Sequence, residues 1–98
     1  MKDQHMRIRV WGKVQGVGYR ASARNEARNL GLQVTAENQP DGTVLLEARG
    51  PAGQMALFLE WVQRGPRQAR VDRVEATEIT APEEMSTLAD EFQRRWHL

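Results

Sequence analysis

Between a stretch patterned like a strand and one composed like a helix, the chain carries Gly12-Lys13-Val14-Gln15-Gly16-Val17-Gly18-Tyr19-Arg20. Ahead of it, Met6-Arg7-Ile8-Arg9-Val10-Trp11 alternates apolar and charged side chains, as a half-buried strand does. Behind it lies an Ala/Arg/Glu/Asn-rich segment that reads as a helix. The junction commits the chain to mixed α and β structure and has a chemical consequence. Glycines let consecutive backbone N–H groups turn toward one point, and the incoming helix adds its free N–H groups and the positive end of its dipole. A concave array of N–H donors is an anion site. Arg20 stands at the start of the helix, and its guanidinium fork suits two oxygens of a phosphate or carboxylate. The loop therefore predicts a small oxyanion ligand, a phosphoryl group first among them. Taken alone, the glycines are better read as a flexible turn and Arg20 as a solvated helix position; the strand-before, helix-after context, with the arginine in register, brings the anion site level with that reading. Neither common nucleotide fingerprint is present: no Gly-Lys-Ser/Thr follows, and the third glycine of the dinucleotide motif is missing.

Further breaks divide the rest of the chain. Helix one is expected from Arg20 to Leu30, with Tyr19, Ala23, Ala27 and Leu30 as its buried stripe. Gly31 then reads as a left-handed C′ residue and Leu32 as the hydrophobic contact of a Schellman end. A strand over Gln33–Asn38, the turn Gln39-Pro40-Asp41-Gly42 and a strand over Thr43–Arg49 make a hairpin. Gly50-Pro51 opens helix two, whose Met55, Phe58, Leu59 and Val62 fall at i, i+3, i+4 and i+7, and Gly65-Pro66 closes it. Trp61, at the edge of that stripe, is expected to pack. A strand over Arg73–Ile79, a polar loop over Thr80–Asp90 and a short strand over Glu91–Trp96 complete the order. With right-handed crossovers, this predicts a ferredoxin-like α+β sandwich, βαββαβ plus a short C-terminal strand, with both helices on one face of an antiparallel sheet.

Composition bounds the chemistry. At 98 residues, 40% hydrophobic and 28% charged, the chain suits one soluble domain. It has no cysteine, so disulfides, thiol catalysis and Cys-based metal sites are excluded, and a reducing cytoplasm is the expected compartment. No apolar run approaches the ~18 residues of a membrane span, and the polar Met1–His5 is expected to be a frayed leader. The histidines, His5 and His97, sit near the ends and are expected to be bystanders. No grouping of His, Asp and Glu has metal-ligand spacing, so neither metal nor cofactor is expected. Residues 1–31 hold seven basic side chains against two acidic ones, although the net charge is only +1. A positive field around the loop would recruit an anionic substrate; Arg24 and Arg28 also fit a solvated helix face.

The chain resembles the acylphosphatase family. The resemblance rests on the Gly12–Arg20 run, Gly31-Leu32, Asn38-Gln39-Pro40-Asp41-Gly42, Phe58-Leu59, Gly65-Pro66 and Ala69-Arg70-Val71-Asp72-Arg73-Val74. It covers about residues 6–96 and implies one acylphosphatase-like domain over 1–98, with its core at about 6–97. It also implies hydrolysis of a small-molecule acyl phosphate to a carboxylate and phosphate without metal or cofactor. Arg20 would hold the phosphate, Asn38 would position the attacking water, and the backbone of Gln15, Gly16, Val17, Gly18, Tyr19 and Arg20 would cradle the phosphoryl oxygens. Phosphate and sulfate would compete. No nucleic acid or membrane partner is implied, and a monomer is expected. Where the family pattern carries a glycine and an aromatic followed by valine, this chain has Val34-Thr35-Ala36, which removes core area.

The residues agree with that chemistry. A carboxylate leaves an acyl phosphate without needing a proton, so a general acid is dispensable. What remains is to neutralise phosphoryl charge and place a water in line. Arginine suits the first task. An asparagine amide, which donates and accepts without charge, suits the second; read in isolation, Asn38 is a turn-opening residue. Two other readings stand beside hydrolysis. One is a non-catalytic anion-binding module of the same fold. The other is an RNA-binding sheet, disfavoured by the lack of aromatics in Thr43–Arg49 and the small net charge.

Overall fold

The computed structural model describes residues 3–79. The expected loop over 80–90 and strand over 91–96, with Phe92, Trp96 and His97, lie outside the described residues. The element order is β1 (Asp3–Lys13), α1 (Tyr19–Asn29), β2 (Gln33–Asn38), β3 (Val44–Pro51), α2 (Ala52–Arg64) and β4 (Arg70–Glu78). The strands form an antiparallel sheet of order β2-β3-β1-β4, the ferredoxin-like arrangement.

Side-chain alternation decides which face the helices take. Met6, Ile8 and Val10 of β1 share a face with Val44, Leu46 and Ala48 of β3, directly opposite them in the register, and with Val34 and Ala36 of β2. All of these are buried in one core with Tyr19, Ala23 and Ala27 of α1 and Met55, Phe58 and Val62 of α2. Truncating Phe58, which is fully buried, to alanine would cost about 3–5 kcal/mol. Trp61 packs as expected, with its ring centroid 5.5 Å from that of Tyr19 and 6.1 Å from that of Phe58.

The helix ends follow local chemistry. Leu32 N–H donates to Ala27 O at 2.8 Å and Gly31 N–H to Arg28 O at 3.1 Å, the two bonds of a Schellman motif, with Gly31 at φ 75°. Leu32 then packs so closely on Gly50 that a Cβ there would stand 2.3 Å from Leu32 Cδ2.

Three expectations are corrected. Asp3–His5 is no frayed leader: these residues pair with Arg49–Pro51 in the β1–β3 ladder. His5 is 8% exposed, and its Nε2 lies 3.2 Å from Glu47 Oε2, so it is no bystander. Local polarity misled here because the partner strand is 40 or more residues away. Likewise, β4 starts at Arg70 and not at Arg73, because a bulge between Trp11 and Gly12 lets Gly12 pair with Val71 and Lys13 with Arg70.

Candidate active site

The turn over Gln15–Gly18 joins β1 to α1. Gly18 is the N-cap of α1 in left-handed geometry, φ 78° and ψ 16°. A glycine N-cap brings no side chain to satisfy the helix amides, and the first turn carries no acidic residue. The first intrahelical bond is Ser22 N–H to Gly18 O at 3.0 Å. No side chain caps the amides before it, and they stand at the positive end of the helix dipole, where negative charge is favoured. Arg20 lies exposed in this first turn, and no ion pair or side-chain hydrogen bond among the described residues occupies its guanidinium. Tyr19 is different. Its side chain is buried, its hydroxyl donates to Val62 O at 2.8 Å, and burial pushes its phenol well above the ordinary range. Only its backbone can serve the loop.

Register brings Asn38 to the same place. Asn38 lies opposite Val44, Val44 opposite Val10, and Val10 three residues before the end of β1. Asn38 therefore lies at the sheet end from which the loop departs, about 10 Å across two strand spacings from Val10. It continues the face of Val34 and Ala36, the one covered by α1. Arg20 and Asn38, 18 positions apart in the chain, thus both lie toward the sheet end from which the loop departs.

The hairpin carrying Asn38 is pinned from several sides. Gln39 N–H donates to Thr43 O at 2.8 Å, and Gly42 N–H to Gln39 O at 3.0 Å. The Asp41 carboxylate accepts the Thr43 hydroxyl at 2.6 Å and the Thr43 N–H at 3.0 Å, an Asx turn. These bonds, then the nearby Arg9 guanidinium, hold its carboxyl below the usual carboxylate range. Arg9 Nη1 stands 3.3 Å from Asp41 Oδ2 and donates to Thr43 Oγ1 at 3.0 Å. Gln15 Nε2 donates to Gln39 O and to Thr43 O, each at 2.9 Å. Arg24 Nη2 donates to Ala36 O at 3.2 Å, so Arg24 does more than line a solvated helix face. Sequence reading did not anticipate these last two contacts. Only the Pro40-Asp41-Gly42-Thr43 string carried a local signal, for the Asx turn.

Among the described residues, no group of three or more His, Asp and Glu could hold a metal ion, and no helix is long and apolar enough to cross a membrane. Fold and loop together define a ferredoxin-like domain whose first helix opens, uncapped by any side chain, on a glycine turn. Residues 6–93 match the acylphosphatase family, and the chain belongs to it. It is 54% identical over 66 residues to an acylphosphatase of Thermus thermophilus, covering 67% of this chain and 75% of that protein. It superposes on the structure of an acylphosphatase from Coxiella burnetii with a TM-score of 0.77 and 37% identity, over 81% of this chain and 83% of that one. The crystal structure of acylphosphatase from Bacillus subtilis gives a TM-score of 0.77 and 35% identity, over 82% of this chain and 89% of that one.

Proposed function

We propose that this protein hydrolyses acyl phosphates, with Arg20 and the amides from Gln15 to Arg20 binding the phosphoryl group and Asn38 positioning the water. The observation that carries the reading is the uncapped N-terminus of α1, with an exposed Arg20 that no side-chain bond among the described residues occupies, at the same sheet end as Asn38. Arg20 and the amides neutralise the phosphoryl oxygens. The Asn38 amide orients a water whose oxygen attacks phosphorus as the bond from phosphorus to the acyl oxygen breaks. The carboxylate departs unprotonated, and a phosphate oxygen takes the water's proton. No protein base is required, and the steps are positioning and electrostatics.

The same reading places the chain in the cytoplasm as a monomer, supported by the absence of cysteine and by Leu57 being the large apolar side chain left exposed among the described residues. The test is phosphate release from benzoyl phosphate with EDTA present. Wild type should turn over. Arg20→Lys should lose most activity, because a point charge cannot replace the two-oxygen fork. Asn38→Ala should lose about 2–4 kcal/mol of barrier stabilisation while still binding phosphate. Phosphate binding without turnover by wild type would leave the non-catalytic anion-binding module. Activity that disappears with EDTA and returns with a divalent ion would overturn the mechanism.

A further inference from the structure

Two side chains from the β1–loop–α1 unit reach across to main-chain carbonyls on both sides of Asn38. Arg24, one turn beyond Arg20 on α1, holds Ala36 O, two residues before Asn38. Gln15, the first residue of the loop turn, holds Gln39 O, one residue after Asn38, and Thr43 O across the hairpin. Main-chain bonds within the hairpin fix its shape. The β1–β3 ladder places the hairpin against β1, but β2, which carries Asn38, is linked to the loop by main-chain bonds only through β3. The side-chain contacts span that gap directly. Gln15 Nε2 has both its hydrogens committed to these two carbonyls, so its amide nitrogen is not a donor to a phosphoryl oxygen.

We infer that Gln15 and Arg24 are positioning residues that set the Asn38 amide against the phosphate cradle, acting on the water and not on anion binding. The inference rests on the roles proposed above for Arg20 and Asn38. A misplacement of the order of 1 Å in a group that orients a nucleophile is enough to slow the chemical step.

The experiment measures kcat on benzoyl phosphate and the inhibition constant of inorganic phosphate for Gln15→Met, Gln15→Ala, Arg24→Met and Arg24→Lys. Each is made alone and in the Asn38→Ala background, with melting temperatures recorded. Gln15→Met keeps the length and loses both donors; Arg24→Lys keeps one donor. Gln15→Met and Arg24→Met should each lower kcat about tenfold while the phosphate constant moves less than about twofold. Arg24→Lys should recover much of the loss. In the Asn38→Ala background the same substitutions should cost less than about twofold, because the group they position is gone. Full-sized losses in that background, or a phosphate constant that weakens in step with kcat, would overturn the inference. So would an unchanged kcat in folded Gln15→Met and Arg24→Met variants. If Asn38→Ala alone keeps wild-type kcat, it is the assignment of the water to Asn38 that fails. Should Gln15→Ala not fold, Gln15→Met and Arg24→Lys still decide.

Discussion

Glu47 shows what a single residue can require of its surroundings. It lies opposite Arg7, on the sheet face turned away from the helices, yet it is fully buried. Its Oε2 lies 3.2 Å from His5 Nε2, and its Oε1 accepts from Arg7 Nε at 3.3 Å. A carboxylate out of water is tolerated only with such partners. Removing a cation is therefore worse than removing the whole pair. Arg7→Met should cost about 2–3 kcal/mol in urea unfolding, and adding Glu47→Gln should return part of that loss, because an amide needs no counter-charge. Simple additivity of the two substitutions would show that the pair is not coupled. Asp41 acts on a smaller scale. Its carboxyl is held below the ordinary value by Thr43, so the turn gains stability above the usual carboxylate range and loses it as pH falls through the folded-state value.

At the scale of elements, the β1–β4 ladder depends on one backbone position. Gly12 has φ 129°, and a Cβ there would stand 2.1 Å from Arg70 O and 2.8 Å from Asp72 N. Both obstacles are main chain, so neither can swing aside. Gly12→Ala should destabilise the protein by about 2–4 kcal/mol, with faster amide exchange concentrated at Arg70–Asp72. An Ala variant of wild-type stability with an intact ladder would mean that the bulge does not need glycine. The glycine string was legible in sequence as a strand-to-helix turn. The use of its first member was not, because the crowding atoms belong to a strand 58 positions further on. By contrast, the Schellman end at Gly31-Leu32 was readable in full and the stripes of both helices nearly so, with Leu30 and Leu59 only partly buried at their edges, since each is decided within one or two helical turns.

The whole molecule is tied together through Tyr19, the chain's one tyrosine. It joins α1 to α2 by its hydroxyl on Val62 O, packs on Trp61, and fits against Gly65 so tightly that a Cβ there would lie 2.7 Å from Tyr19 Cε2. Burial raises its phenol above the ordinary 10.0. The unfolded chain loses this proton near that ordinary value and the folded protein only at higher pH. The stabilisation is therefore complete below about pH 10 and declines as pH rises from there through the folded-state value. Thermal midpoints should fall above about pH 10, with phenolate absorbance rising in step with unfolding. Tyr19→Phe should lose that part of the pH dependence while costing about 1 kcal/mol for the hydrogen bond. A phenol titrating at its ordinary value in the folded protein would contradict the burial.

The local pattern of residues determined the elements among the described residues, the hairpin turn and the glycine turn that leads into α1, because periodicity, helix capping and turn chemistry act over a few residues. Matched to a family pattern, the same residues pointed to Arg20 and Asn38 and to acyl phosphate chemistry. Tertiary structure decided what depends on pairing across the chain. It drew Asp3–His5 into β1, buried Glu47 between His5 and Arg7, and started β4 at the Gly12 bulge. It also turned Gln15 and Arg24 toward the Asn38 hairpin. The physical reason is common to all four: the partner of each residue lies 12 or more positions away, and only strand register and helix docking bring the two within hydrogen-bonding distance.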